Sequence, residues 1–198
     1  MAQGNAALKA IGAPGRRGKG RGVREAVALA RGKIIGYADA DNKVPIGEYD
    51  KIAPALQAGL QVVIGSRALR DSEIQRAQPL YRRIGGNAFR WVMQAATGLN
   101  VRDTQCGFKF FPAAVAKALF RLQRVDGYMF DVEILVIADR LGCSIREVPI
   151  RWRDDGDSRL DLVSGNIRNV RDILRIRRLH RGLRPDPALA EVRAARAR

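Results

Sequence analysis

Asp39 and Asp41 lie two residues apart, immediately after the apolar run 33–38. In an extended chain, side chains at i and i+2 point to the same side. Two carboxylates on one side repel each other unless a cation lies between them or both face water. Hard oxygen ligands suit Mg²⁺ or Mn²⁺, which keep some waters and share the oxygens of a substrate's phosphates. The chemistry on offer is neutralisation of a diphosphate leaving group. A solvated acidic turn is the plainer reading of an isolated Asp-x-Asp. The apolar strand in front of the pair favours the metal.

The surrounding pattern shows what must position these acids. The run 33–38 reads as a buried strand with the acids at its C-terminal end. Pro45 and Glu48 open a helix to about Ala58, closed by Gly59. Residues 61–64 form a second strand that ends in Gly65-Ser66-Arg67, followed by a polar loop over 68–78. Pro79 starts a long helix to about Thr97. A short apolar strand over 107–111 and a helix over 112–120 come next. A helix over 131–141 is capped by Gly142. A strand over 145–152 and a helix over 166–180 complete the order. The residues before Val23 read as loop, with a short helix over 23–30. Strands alternating with helices predict an α/β domain with a largely parallel sheet. In such sheets ligands bind beyond the C-terminal strand ends. Asp39, Asp41 and Arg67 fall at two of them.

The 198 residues suit one domain, placed at 1–184, with a basic tail over 185–198 expected to be disordered. No apolar run is long enough to cross a bilayer, and the N-terminal residues lack a signal-peptide core. These features predict a cytoplasmic protein. Cys106 and Cys143 are far apart and read as reduced thiols. With two distant cysteines and His180 as the only histidine, no zinc site is expected. The formal net charge of +16 narrows the partners to nucleic acid, an anionic membrane or phosphorylated substrates. Residues 167–184 carry seven arginines against one acid, Asp172. There Val163, Ile167, Val170 and Leu174 share a helical face with Arg168, Arg171, Arg175 and Arg178 around it. A basic amphipathic helix of this kind lies either in an anionic headgroup layer or with its stripe on the sheet.

Seven segments, in order, resemble the family 2 glycosyltransferases, in particular the dolichyl-phosphate glucosyltransferase and dolichyl-phosphate mannose synthase branch. They are Arg17-Gly18-Lys19-Gly20, Tyr37-Ala38-Asp39-Ala40-Asp41, Val63-Ile64-Gly65-Ser66-Arg67, Tyr81-Arg82-Arg83-Ile84-Gly85-Gly86, Asp103-Thr104-Gln105-Cys106-Gly107-Phe108-Lys109, Phe130-Asp131-Val132-Glu133 and Glu147-Val148-Pro149-Ile150-Arg151-Trp152. Each is weak alone; together they run from residue 17 to 152 and carry a resemblance taken to extend over 17 to about 176. The resemblance implies a GT-A-like fold and an inverting transferase that uses a nucleotide-sugar donor, Mg²⁺ or Mn²⁺, and a polyprenyl phosphate acceptor. It makes Asp39 and Asp41 the metal acids. Arg67, Arg82 and Arg159 become the acceptor-phosphate ligands, and Lys19 a residue approaching the nucleotide. Asp103 matches an acid near the sugar, and with Asp131 it forms the catalytic candidates. Lys109 joins the substrate-binding set.

Plainer readings stand beside these. Arg82 and Arg83 suit a solvated helix face, and Asp131 and Glu133 suit a helix's first turn, where the dipole favours acids. Lys109 suits a lysine snorkelling to the surface, Trp91 and Met93 core or interface positions, and His180 a helix C-terminal charge. The resemblance also has gaps. Lys43 stands where some mannose synthases carry a metal-binding Gln. The family's opening strands, ending in Pro-x-Tyr-Asn-Glu and Asp-Asp-x-Ser, are not found before Gly18, and Asp154-Asp155-Gly156 lies too late to be the second. An N-terminally truncated domain is expected, completed by a missing segment or a partner chain. The expected place is peripheral, on the inner face of a membrane. The alternatives are a non-catalytic fragment or subunit and a basic nucleic-acid-binding protein. Against the last, aromatic content is 6% and no recognition motif appears, so no nucleic acid is expected as partner.

Overall fold

The structure, a computed structural model, describes residues 11–12, 15, 18–74, 91–153 and 164–189. Helix α1 (Lys19–Leu29) leads into strand β1 (Ile34–Ala38). A 3₁₀ turn (Ile46–Glu48) continues as α2 (Tyr49–Gln57), then β2 (Val62–Ser66) and the short β3 (Glu73–Ile74). Residues 91–97 form α3. After it come β4 (Phe108–Pro112), α4 (Ala113–Leu122) and α5 (Phe130–Arg140). Last are β5 (Ile145–Pro149), β6 (Arg151–Trp152) and α6 (Ser164–His180).

The main sheet has the order β1-β4-β2-β5. β4 runs antiparallel to both of its neighbours, and β2 pairs parallel with β5. Strands β1, β2 and β5 therefore share one direction, with β4 reversed between two of them. The sheet is mixed, and its predominant direction is the parallel one expected. The run over 145–152 divides at Ile150, and its second part, β6, pairs with β3 in a separate two-stranded sheet. Helix α1 begins at Lys19, four residues earlier than the glycine-rich sequence suggested. Tertiary contacts explain the difference: Gly20 is packed against Phe130, Val125 and Gln123, with no room for a Cβ.

β2 and β4 are buried at every position. Period-two alternation then sorts their side chains onto two faces. Val62, Ile64 and Phe111 join one core with residues of α4, α5 and α6. Val63, Phe108 and Phe110 join the other with Ile52 and Leu56 of α2. Each such large apolar side chain contributes about 1.5–3 kcal/mol on full burial. Lys109 alternates onto the α5 face with Phe111, and this decides its environment.

The basic tail expected from residue 185 is in fact packed as far as Leu189. The Asp186 amide donates to Leu141 O, and the Gln61 side chain donates to Leu189 O. Leu189 supplies the apolar contact that holds it, at 5% exposure. Among the described residues no helix is long and apolar enough to cross a membrane.

Candidate functional site

The C-terminal ends of β1 and β2 and the N-terminal turns of α1 and α5 converge. Lys19 Nζ lies 2.7 Å from Asp39 Oδ1 and 3.4 Å from Asp131 Oδ2. The lysine also faces the Phe130 ring, 5.4 Å from its centroid. Burial alone would lower the pKa of this ammonium. Asp131 and Asp39 outweigh burial and hold it above its ordinary value. A cation is thus fixed beside the acid at the end of β1. Asp39 is also held through its backbone, whose amide donates to Gly107 O at 2.9 Å. A Cβ on Gly107 would fall on the Asp39 carboxyl group.

Asp41 lies outside that cluster. The chain turns after Ala38, and Asn42 takes a left-handed φ of 54°. The argument from an extended chain therefore does not reach Asp41. Its carboxylate accepts from the Lys43 amide at 3.2 Å and faces Lys43 Nζ at 3.7 Å. Each of the two acids has its own lysine. Their side chains are 39% and 48% exposed, so both remain accessible to a ligand. No group of three His, Cys, Asp or Glu is assembled among the described residues. Each of Asp39 and Asp41 is an accessible hard carboxylate, the ligand type taken by an ion that completes its shell with water and phosphate oxygens.

Arg67 and Asp103 form a second unit. Arg67 Nε and Nη2 donate to Asp103 Oδ2 and Oδ1 at 2.7 and 2.8 Å, and the Arg67 amide donates to Oδ2 at 2.9 Å. Burial would raise the Asp103 pKa, but the guanidinium overrides it and holds the carboxyl below its usual range. Arg67 also lies over the Trp152 ring at 5.4 Å and stays one-third exposed. Both Asp103 oxygens are committed to Arg67 and its pKa is depressed. The carboxylate is therefore a poor general base. Glu147 of β5 accepts the amides of Arg102 and Asp103 at 2.9 and 3.0 Å, which fixes this segment to the sheet.

The catalytic and substrate roles anticipated for Asp131 and Lys109 meet a different geometry. Lys109 is fully buried. Its Nζ donates to Asp131 Oδ1 at 2.5 Å and to Cys106 O at 2.6 Å. Asp131 also accepts from the Tyr37 hydroxyl. Lys109 neither snorkels nor presents its charge to a ligand, because the central strand β4 aims it under α5. Asp131 is enclosed by Lys109, Tyr37 and Lys19 and reaches the open site only through Lys19. Arg82 and Arg159 lie outside the described residues.

Three further groups were not visible as functional in the sequence. Gly107 makes room for Asp39, and Glu147 anchors Asp103. Glu133, fully buried, accepts the Arg124 and Val125 amides and bonds His180 Nε2 at 2.7 Å. All three sit inside the quoted motifs, which was their only signal. His180 is buried and ties the last turn of α6 to α5, rather than standing as a free helix-end charge. Met93 is buried and Trp91 is 72% exposed. Both cysteines are buried free thiols; burial pushes Cys106 up to about 12 and Cys143 to about 11.

The sequence profile of glycosyl transferase family 2 matches residues 5–120, more than half of the chain. The chain belongs to glycosyl transferase family 2. Within that family it is 33% identical over 166 residues to a dolichyl-phosphate beta-glucosyltransferase of Dictyostelium discoideum, covering 81% of this chain and 51% of the relative. The enzyme of that name from Drosophila melanogaster is 35% identical over 150 residues, covering 73% and 46%. The chain thus spans about half the length of the curated relatives it matches. Among solved structures, glucosyl-3-phosphoglycerate synthase from Mycobacterium tuberculosis, in complex with Mn²⁺, UDP-glucose and phosphoglyceric acid, superimposes with a TM-score of 0.59 at 22% identity. That match covers 88% of this chain and 58% of the synthase. Mannosyl-3-phosphoglycerate synthase from Rubrobacter xylanophilus gives 0.59 at 16% identity, covering 82% and 51%. At these identities the likeness establishes the fold, which is the GT-A-like α/β arrangement expected of the family.

Proposed function

We propose that this chain is the acceptor-side part of a metal-dependent, inverting glycosyltransferase. It passes glucose from a nucleotide sugar to a polyprenyl, dolichyl-type phosphate at the inner face of a membrane. The observation that carries the reading is the convergence at the strand ends of Lys19–Asp39 and Arg67–Asp103, in a chain of this family. Asp39 and Asp41 would hold Mg²⁺ or Mn²⁺, which supplies charge neutralisation for the departing diphosphate. That solved structures of the same fold hold Mn²⁺ and UDP-glucose supports a divalent ion in this reading.

The acceptor phosphate has a second pKa near about 6, so it is mostly dianionic at neutral pH. It needs no strong base. Its oxygen forms the new bond to the anomeric carbon as the carbon–oxygen bond to the diphosphate breaks, with inversion. The chain's task is positioning and electrostatics. Lys19, already held at Asp39, swings its charge to the diphosphate. Arg67 offers the acceptor phosphate the guanidinium edge that Asp103 leaves free, and Arg82 and Arg159 are proposed to share that phosphate. Asp103, Asp131 and Lys109 act as positioning residues, the first for Arg67 and the other two for Lys19.

The remaining length of the relatives is proposed to supply the nucleobase-binding strands, as an upstream segment or a partner chain. β1 lies at an edge of the sheet among the described strands, and Ile34–Ala38 carries no charge and no proline to guard it. Such an edge can accept further strands. The test is mass spectrometry of vesicles holding polyprenyl phosphate after incubation with UDP-glucose. The chain alone should form little glucosyl lipid; joined to a preceding Asp-Asp-x-Ser segment it should turn over readily. Arg67→Lys in that active form should lower transfer by about 10- to 100-fold although charge is kept, because Lys lacks the planar fork. Unchanged kinetics would remove Arg67 from the acceptor site, and the absence of glucosyl lipid from the joined form would overturn the function.

The membrane is approached through α6. Ile173, Ile176 and His180 face the core, while Val170 and Leu174 are exposed at 38% and 55%. The buried stripe is thus offset from the one read in the sequence. Val163 and the side chain of Ile167 lie outside the described residues. Exposed Val170 and Leu174 beside Arg171, Arg175 and Arg178 suit an anionic headgroup layer, where each cation adds about 1 kcal/mol. Flotation with anionic vesicles should weaken with salt and fall when these three arginines become Gln. Undiminished flotation would exclude α6.

A further inference from the structure

Lys19 touches two acids of different kinds. Asp39, 2.7 Å from its ammonium, is accessible at the open end of β1. Asp131, at 3.4 Å, has a side chain only 3% exposed, and its other oxygen accepts from Lys109 Nζ and the Tyr37 hydroxyl. The first contact can be yielded to a ligand; the second is enclosed. The backbone beneath the lysine is fixed. Lys19 opens α1, Gly20 is wedged against Phe130 and Val125, and the Arg21 amide donates to Asp126 O. Only the side chain is free to turn, with Asp131 as its pivot.

Charge within this cluster balances, because Lys19 and Lys109 answer Asp39 and Asp131. Lys19 would meet a divalent cation at Asp39 as a like charge. Its ammonium already holds Oδ1. On either oxygen of so small a group, the two cations would stand within a few ångströms and repel each other. Withdrawal of Lys19 toward Asp131 relieves this only in part, since Lys109 already neutralises that acid. An anion arriving with the cation removes the conflict. Lys19 then turns to the anion, keeps Asp131 and releases Asp39. A nucleoside diphosphate is such an anion. Lys43 opposes a cation less, for its ammonium stands 3.7 Å from Asp41, beyond hydrogen-bond range.

We propose that Lys19 is a built-in counter-ion that makes cation binding at Asp39 conditional on a diphosphate. Without the anion, Lys19 opposes the cation; with it, the same side chain binds the anion and yields the acid. The coupling between the two ligands then passes through a side chain of this chain, in addition to any bond between cation and phosphate. The inference rests on the metal assignment in the proposed function and adds how that site is regulated.

The test is equilibrium dialysis of Mn²⁺ against the full chain, with and without UDP. Lys19→Met should bind Mn²⁺ alone about tenfold more tightly than the wild type, and should lose about tenfold of the tightening that UDP brings, a typical size for coupled sites. Lys19→Gln should behave alike, and circular dichroism confirms that both variants are folded. Lys33 is exposed just before β1, at the end of the strand away from Asp39. Lys33→Met removes the same charge there and should change Mn²⁺ affinity less than about twofold, because salt screens charges farther apart than about 10 Å. Asp39→Asn tells two failures apart. It should abolish the gain from UDP; if it binds Mn²⁺ with UDP as the wild type does, the ion is not at the end of β1 and the metal assignment itself fails. If Asp39→Asn loses the gain while Lys19→Met matches the wild type or Lys33→Met, the metal assignment stands and the role of Lys19 is overturned.

Discussion

Lys109→Met is expected to destabilise the domain by about 3 kcal/mol, at the low end of the cost of breaking a buried ion pair. The lysine is fully enclosed, and its ammonium balances Asp131 in the same core. Methionine keeps the volume and removes the charge, leaving a buried carboxylate with only Tyr37 and Lys19 to answer it. Those two partners place the effect at the lower end of the range. Adding Asp131→Asn to Lys109→Met should recover much of the loss, since no uncompensated charge then remains. Urea unfolding reads both, as shifts in midpoint at constant slope. A loss below about 1 kcal/mol, the size of an exposed pair, would mean that Lys109 reaches water and is available to a ligand after all.

Gly107→Ala should separate function from stability. The added methyl falls on the carboxyl group of Asp39. That carboxylate is partly exposed and can swing aside, so the fold should lose little. What is lost is its placement. Displacing a substrate-positioning group by about 1 Å can cost on the order of 100-fold in rate. Transfer by the active form should drop by about that factor while the urea midpoint moves little. A fall in both would make Gly107 a packing residue, and no fall in either would show that Asp39 does not need its present position.

The strand ends were legible in the sequence because apolar runs and turn residues mark them locally. Asp39 and Arg67 were placed at those ends by pattern alone, and the structure puts them there. What each residue faces was not legible. β4 reads as a short apolar run, and nothing local says that it is reversed between β1 and β2 or covered on both faces. The enclosure of Lys109 follows from that position. The pairing of Arg67 with Asp103 joins residues 36 apart in the chain, and Asp131 with Lys19 joins residues 112 apart. No periodicity reports such contacts. The α6 stripe shows the same limit. Val170 and Leu174 do share a helical face, but Ile173 and Ile176 are the residues in the core, on the face that also carries His180, which bonds Glu133 of α5.

The central claim is that the end of β1 holds a donor diphosphate through a divalent cation. Its most direct test is Mn²⁺ binding to the chain, followed by electron paramagnetic resonance with and without UDP. The account predicts weak binding of Mn²⁺ alone, tighter binding when the diphosphate completes the shell, and loss of that gain in Asp41→Ala. Equal Mn²⁺ affinity in the wild type and Asp41→Ala, with UDP present, would contradict it.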